Sequence, residues 1–314
     1  MPQSPRTSEI STLSTRAIRT AALPKQRRPL SESGRKRPGL LLALLPAFVV
    51  LAIFYFYPMF SVLLMSFTDP EPGLQNFEWF FSQPVNLQVL WRTLIISFWV
   101  TIICVILAFP FAFFLTIVKP STRGLLMLVV LIPFWTSMVV RTFAWVILLQ
   151  DSGPIGQFMK LFGVDELGIM RTPTAVLIGM AQVLMPFVVL PIYTTMSKID
   201  MRLLTAARSL GARPSKAFVT VYLPLSLPGI ASGTLLCFVM ALGFYITPAM
   251  LGSSREAFLS TLIQGQVQGQ SNWGYGSAIG LVLLVVTLII LGVTSAIGRK
   301  TGGSVHDMVG GSKA

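Results

Sequence analysis

Six long runs of apolar residues, almost free of charged side chains, constrain this chain more than any other feature of its sequence. At about 1.5 Å per residue, each run is long enough to cross the ~30 Å hydrocarbon core of a bilayer as a helix. Only 11% of the 314 residues are charged, against about 25% in soluble chains. We therefore expect an all-α integral membrane protein, a six-helix bundle in one domain. The runs cover about residues 39–67, 93–118, 124–149, 173–197, 223–250 and 274–298.

The segments outside the runs are polar and differ in composition. Residues 1–38 are rich in Ser, Pro, Arg and Lys, which predicts a disordered basic tail. Residues 68–92 carry three acids and several aromatic side chains, and aromatic rings favour the lipid headgroup level. Part of that segment should therefore lie at the membrane surface. A polar loop follows at 150–172, and residues 299–314 form a second polar tail.

The basic residues predict the orientation of the chain. Cytoplasmic loops close to membrane spans are enriched in Lys and Arg. If the N-terminus is inside, 19 of the 24 basic residues fall on the inner side, and seven of the 11 acids fall on the outer side. Both termini and the loop at 198–222 are accordingly predicted to face the cytoplasm.

The sequence argues against catalysis by this chain. It has no G-x-x-x-x-G-K-[ST] phosphate-binding loop, no paired carboxylates and no Ser-His-Asp set. Cys104 and Cys237 lie in apolar runs and His306 is the single histidine, so we expect no catalytic residues, no metal site and no cofactor. The net charge of +13 reflects basic tails and loops, and does not indicate nucleic acid as a partner. We expect membrane lipid to surround most of the chain.

The loop at 198–222 is the longest polar stretch between the later runs. Asp200 suits a helix N-cap, helix-forming residues follow from Met201 to Leu210, and Gly211 suits a left-handed helix end. Pro214 suits the first turn of a second short helix. Helical spacing places Leu203, Leu204, Ala207 and Leu210 on one face. Such a helix can lie on the bilayer as a basic amphipathic connector, or it can dock a partner.

The same loop resembles the cytoplasmic signature loop of the permease subunits of binding-protein-dependent ABC importers. That pattern reads EAA, three residues, Gly, nine residues, then Ile-x-Leu-Pro. Here Ala206 and Ala207 take the alanines, Gly211 the glycine, and Leu223-Pro224 the final pair, with Val221 at the isoleucine position. Thr205 stands where the family has glutamate. The resemblance implies that the loop forms a coupling helix against an ATP-hydrolysing subunit, with docking residues Leu203, Leu204, Thr205, Ala206, Ala207, Leu210 and Gly211.

The resemblance extends over roughly residues 85–298. The stretches PFWTSMVVRTFAWVILLQDSGPI (133–155), LPIYTTMSKID before the loop, YITPAMLG (245–252), STLIQGQV (260–267) and NWGYGSAI (272–279) are similar to spermidine/putrescine-type permeases. This implies import of a polyamine or a related small organic solute across a bacterial inner membrane. It also implies three partners: a pair of ATP-binding subunits, a second permease subunit, identical or homologous, and an extracytoplasmic solute-binding protein.

Four residues are candidates for the translocation path or its gate. Arg141 is a charge inside a run, about 25 Å along a straight helix counted from residue 124. It can either snorkel to the headgroups or face the bundle interior, since an intramembrane charge is costly without a partner. Tyr245, Thr247 and Pro248 form a polar, helix-interrupting patch. That patch can line a path, or it can be a proline kink satisfied by Thr247.

A secondary transporter or channel that works alone is the alternative function. Such proteins carry partnered acids inside their spans. None of the six runs contains a carboxylate, which favours a permease driven by a separate ATPase.

Overall fold

The computed structural model describes the backbone of residues 38–310 and the side chains of residues 45–296. The disordered tail predicted over residues 1–38, apart from the backbone of Pro38, lies outside the described residues. So do the side chains of the second polar tail. Across the part of the chain that is described, helices form and no strand occurs. The predicted all-α class is confirmed.

The described part of the chain divides into two compact units, one ending at Phe56 and the other beginning at Tyr57. In the first unit, helix α1 (Pro38–Leu51) is followed by a π-helical turn at Ala52–Phe56. In the second unit, the α-helices are, in chain order, α2 (Tyr57–Thr68), α3 (Gln75–Ser82), α4 (Pro84–Ile117), α5 (Pro120–Leu131), α6 (Met138–Leu149), α7 (Pro154–Lys160), α8 (Pro173–Met196), α9 (Arg202–Ser209), α10 (Pro214–Ala217), α11 (Leu223–Leu242), α12 (Ile246–Leu251), α13 (Leu259–Gln264) and α14 (Trp273–Gly310).

Proline marks where several of these helices begin. A proline in the first turn loses no helical hydrogen bond, because the N–H groups there have no partner within the helix, and its fixed φ suits a helix start. Helices α4, α5, α7, α8 and α10 each begin with proline. Pro110, Pro186 and Pro191 lie inside α4 and α8, which continue through them.

The centre of the second unit is a packed group of three helices, α4, α8 and α11. Small residues let their backbones approach closely. A Cβ atom at Gly229 of α11 would lie 2.6 Å from the Thr195 Cβ of α8, and one at Gly233 would lie 3.1 Å from the carbonyl oxygen of Val188. The Cys104 thiol of α4 contacts the carbonyl oxygen of Ala181 of α8 at 3.5 Å. Close packing of small residues is typical of helix contacts within membranes.

Five helical segments are long and apolar enough to cross a membrane, and a bent pair counts as a sixth if it forms one span. The five are Leu45–Thr68, Pro84–Ile117, Pro173–Met196, Pro214–Leu242 and Trp273–Ala296, and the pair is Pro120–Trp135 with Met138–Lys160. Their length and composition support the predicted membrane bundle.

The sequence predicts one continuous span over 124–149. In the structure this apolar run is instead broken into two helices. Helix α5 tightens into a 3-10 turn at Ile132–Trp135, Thr136 is extended, and the two halves are bent by 101°. Pro133 explains the break, because it has no N–H to donate and it disfavours helical geometry in the residue before it. The break places α6 as a separate element.

Other boundaries also differ from the predicted runs. Helix α4, which contains the second predicted run, begins at Pro84 and not at residue 93. Its first turns therefore precede the apolar run. The predicted fifth run, 223–250, is interrupted at residues 243–245, between α11 and α12. The last helix continues past 298 to Gly310 along its backbone. Between α12 and α14, the predicted Gln/Gly-rich loop is largely helical, with α13 followed by a π-helical turn at Gly265–Gly269.

Candidate functional site

The loop between α8 and α11 carries two short helices separated by a glycine. The Asp200 Oδ1 atom accepts a hydrogen bond from the backbone N–H of Arg202 at 2.9 Å, at the start of α9. Gly211 follows α9 with φ +88°, and no atom lies within 4 Å of where its Cβ would be. Glycine is therefore required there by the left-handed backbone alone. Pro214 opens α10, as the sequence predicts.

The apolar face predicted for α9 is divided in the structure. Leu204 and Ala207 are half-buried, and Leu204 packs against the core of the bundle. Leu203 and Leu210 are instead 46% and 89% exposed. The reason is that α9 packs against α10 and the π-helical turn Phe218–Tyr222, which cover only one side of so short a helix. The four residues predicted to share one face therefore differ in how far the neighbouring elements cover them.

The uncovered side of α9 is an exposed surface with both apolar and polar groups. We call it the α9 surface and define it by Leu203, Thr205, Ala206, Leu210 and Gly211, all of which are exposed. A cavity of about 480 Å³ beside it is lined by Leu210, Gly211, Ala212, Arg213 and Lys216. Leu210, which is 89% exposed, therefore lies next to the basic side chains of Arg213 and Lys216.

A polar contact in the bundle joins α6 and α12. The hydroxyl oxygens of Thr142 and Thr247 lie 3.2 Å apart, and both residues are buried. Thr142 Oγ1 also donates to the carbonyl oxygen of Met138 at 2.9 Å. A hydroxyl has a single proton, so Thr247 must donate to Thr142. A Cβ at Gly179 of α8 would clash with the side chains of Thr247 and Leu251, so this glycine makes room for α12.

Tyr245 and Pro248 flank Thr247 in the sequence. Tyr245 is half-buried in the break before α12 and lines a cavity of about 750 Å³ between α2, α13 and α14. Other polar residues on the cavity wall are Ser260, Gln264, Gln268 and Ser277. Pro248 is buried, and its carbonyl oxygen accepts a hydrogen bond from Gly252 N–H at 3.0 Å. The interruption predicted at this patch is present, one turn ahead of the proline.

Arg141 lies in the first turn of α6, immediately after the 101° bend. Counting its depth along a straight helix is therefore invalid. The side chain is half-buried, and its Nε atom has no hydrogen-bond partner within the described part of the chain. Arg141 is not among the residues that line the cavity around Tyr245.

Other polar residues of the interior were absent from the sequence prediction. Gln182 of α8 is half-buried and its Oε1 accepts a hydrogen bond from Trp145 Nε1 at 3.5 Å. Thr142 was also missed, although it follows Arg141 directly. An uncharged amide in the middle of an apolar run is a signal that could have identified Gln182, because polar side chains in membranes need partners.

Comparison with known protein families decides what kind of membrane protein this is. Residues 108–301 match the family described as binding-protein-dependent transport system inner membrane component. The matched region includes the whole α9 surface and the candidate path residues. This chain belongs to that family. It is therefore an inner-membrane transport subunit with several membrane-spanning helices.

Named relatives in the family are similar over most of the chain. The permease is 34% identical over 253 residues to the spermidine/putrescine transport system permease protein PotB of Haemophilus influenzae, covering 77% of this chain and 88% of that protein. It is 33% identical over 210 residues to PotB of Escherichia coli, covering 66% of this chain and 76% of that protein. The predicted resemblance to spermidine/putrescine-type permeases is confirmed.

Solved structures share the fold of the permease. A chain of a bacterial alginate ABC transporter, in complex with an alginate-bound periplasmic protein, aligns with a TM-score of 0.71 and 21% identity, covering 84% of this chain and 96% of that chain. A chain of the MetNI methionine ABC transporter aligns with a TM-score of 0.52 and 17% identity, covering 68% of this chain and 95% of that chain. These similarities establish the architecture of an ABC transporter permease.

Proposed function

We propose that this permease forms half of the translocation path for a polyamine, or a related small organic cation, in an importer driven by a separate ATPase. The proposal of a polyamine is supported by similarity to PotB over three quarters of the chain. The five single-segment spans contain no carboxylate that could drive transport by proton coupling, in keeping with energy from another subunit. A second permease, identical or homologous, would complete the path, and an extracytoplasmic binding protein would deliver the solute.

The observation that carries the proposal is the α9 surface. A soluble helix that exposes leucines between two membrane spans gains stability when another protein covers them, by roughly 25 cal/mol per Å² of apolar surface. Gly211 ends the helix sharply, and Pro214 begins a helix that continues into α11. Force applied to α9 would thus reach α11 through a short, well-defined turn.

The proposed mechanism is alternating access. The loop at 198–222 and both termini face the cytoplasm. There, each of the two ATP-binding subunits docks on the α9 surface of one permease. ATP binding closes the ATPase pair, and the docked helices move with it, so that the path opens to one side and then the other. The nucleotide shifts this equilibrium only by its differential affinity for the two states. Arg141 and the patch at Tyr245, Thr247 and Pro248 are the proposed gate or path residues, and a cationic solute would not contact Arg141 directly.

Leu210→Glu tests the docking proposal. A carboxylate in place of an apolar anchor should reduce co-purification of the ATP-binding subunit at least about tenfold, because interface hot spots contribute 2 kcal/mol or more. The matched control is Leu161→Glu, which changes a leucine that is 80% exposed on a different loop. This control should leave co-purification unchanged. Equal retention of the ATPase by both variants would refute docking on the α9 surface.

The solute is tested separately in proteoliposomes that contain the complete complex and its binding protein. We expect ATP-dependent uptake of radiolabelled spermidine or putrescine, and loss of that uptake in Leu210→Glu. Uptake driven by a proton gradient without ATP would support the alternative, a secondary transporter. ATP-dependent uptake of an anionic solute with no uptake of amines would reject the polyamine while leaving the importer intact.

A further inference from the structure

A cavity of about 400 Å³ lies beside α4, α8 and the turn at Ser254–Glu256, apart from the α9 surface and from Tyr245. Its volume is in the range of small-molecule sites, about 300–1,000 Å³. Two side chains of opposite charge line it, Arg92 from α4 and Glu256 from the turn. The indole rings of Trp91 and Trp99 lie on its wall as well. No function proposed above uses these residues.

Glu256 is held in a fixed position in the wall of this cavity. The residue is only 7% exposed, so its carboxylate is largely removed from water. Its Oε2 atom accepts hydrogen bonds from Ser253 N–H at 2.8 Å and from the Ser253 hydroxyl, which fixes the side chain. The Oε1 atom takes part in neither bond. A buried carboxylate is costly unless a cation or further donors reach it.

The pattern of charges along the chain predicts that the cavity lies at a boundary of the hydrocarbon layer. Arg92 is the last charged residue of α4 before an uncharged stretch that continues to Lys119. Pro173, which also lines the cavity, begins α8, and no charge follows in the chain until Lys198. Two long apolar stretches thus begin at this level. Trp91 and Trp99 are 66% and 51% exposed, and tryptophan favours the headgroup region of a bilayer.

We propose that this cavity binds the headgroup of a phospholipid that carries a primary amine, of the phosphatidylethanolamine type. The guanidinium of Arg92 presents a fork of N–H donors that matches phosphate oxygens. The carboxylate of Glu256 accepts from the ammonium group. Below the charges, Ile95 and Leu177 provide an apolar wall for the first carbons of the acyl chains.

The charge pattern selects this headgroup over others. A choline headgroup has no N–H to donate to Glu256, and an anionic glycerol headgroup brings no cation to it. A free polyamine would satisfy Glu256, but its ammonium groups would be repelled by Arg92 in the same cavity. Only a group with one phosphate and one ammonium matches both side chains. This inference does not depend on the direction of transport or on the ATPase.

Native mass spectrometry of the full chain, purified in detergent, tests the proposal. Phosphatidylethanolamine, phosphatidylcholine and phosphatidylglycerol with identical acyl chains are added at equal concentration. The wild-type chain should retain phosphatidylethanolamine about tenfold more strongly than the other two, as expected for a loss of charge-assisted hydrogen bonds. Arg92→Gln and Glu256→Gln should each lower its retention to the level of phosphatidylcholine.

The matched control is Arg255→Gln, since Arg255 is exposed, precedes Glu256 directly and does not line the cavity. Its lipid selectivity should equal that of the wild type. In Glu256→Gln the amide oxygen can still accept from Ser253, so the turn should persist. If that variant nevertheless unfolds, the selectivity of the wild-type chain and Arg92→Gln decide the outcome. Equal retention of the three lipids by the wild type, unchanged selectivity in Arg92→Gln, or displacement of the lipid by spermidine would overturn the proposal.

Discussion

Thr205 is the residue where this permease departs from the signature of its family. Its uncharged side chain is exposed on α9, and no residue of the α9 surface carries a charge. The family glutamate can pair with a basic group on the ATPase, whereas a threonine cannot. The α9 surface would therefore dock through its leucines and the shape of the turn at Gly211, with a weaker electrostatic contribution than in other members.

Thr205→Glu should keep or strengthen association with the ATP-binding subunit. The new carboxylate lies three residues from both Arg202 and Arg208, a spacing that stabilises helices by about 0.2–0.5 kcal/mol per pair. An added exposed ion pair with the ATPase would contribute roughly 0.2–1 kcal/mol, up to about fivefold in affinity. Surface plasmon resonance with the immobilised ATPase measures the change.

Ser215→Glu is the control for Thr205→Glu, because it adds the same charge to an exposed position of α10 in the same loop. Its affinity should stay within about twofold of the wild type, because few surface substitutions away from an interface change a free energy by more than 0.5 kcal/mol. A loss of affinity confined to Thr205→Glu would show that the family's pairing does not apply to this permease.

At the scale of helices, the contact between α8 and α11 sets the geometry that α9 can transmit. The sequence Gly229-Ile-Ala-Ser-Gly233 places two glycines on one side of α11. At Gly229, an added Cβ would lie 2.6 Å from Thr195 and 2.9 Å from the carbonyl oxygen of Pro191. The backbone oxygen cannot turn away as a side chain can. The glycine pair thus fixes how closely these two helices pack.

Gly229→Ala should destabilise the permease by about 1–3 kcal/mol, since overpacking forces a backbone shift. Thermal denaturation followed by size-exclusion chromatography in detergent should show a lower midpoint. Gly292→Ala in α14 is the control, because no atom lies within 4 Å of its Cβ position and alanine favours helix. A midpoint for Gly229→Ala equal to that of Gly292→Ala would show that α8 and α11 separate easily.

The sequence predicts helices well where the cause is local. Asp200, Gly211 and Pro214 mark the ends of short helices through capping, a left-handed backbone and a fixed φ. The sequence predicts poorly the contacts between distant residues that depend on a bend in the chain. The contact between Thr142 and Thr247, 105 positions apart, exists because the chain turns by 101° ahead of α6. The division of the α9 face likewise depends on packing against the turn at Phe218–Tyr222.

Considered as a whole, the molecule has a strong charge asymmetry between its two sides. In the loop at 198–222, five basic residues face a single acid, whereas the loop at 150–172 has three acids and two basic residues. Basic segments resist crossing the membrane during insertion. The resulting bias of Lys and Arg towards cytoplasmic loops sets the orientation of most multi-span proteins. This bias predicts that the α9 surface lies on the cytoplasmic side, where ATP is available.

Labelling of single introduced cysteines in intact cells measures this orientation. Asp165→Cys and Ser209→Cys each place a thiol at an exposed position, one in each loop. The native Cys104 and Cys237 are fully buried, so they can remain as unreactive internal controls. A membrane-impermeant maleimide should label Asp165→Cys at once, because its loop is predicted to lie outside. Ser209→Cys should react only after the cells are permeabilised. The opposite pattern would place the α9 surface on the outer side, where no ATP-hydrolysing subunit could reach it, and the proposed energy coupling would fail with it.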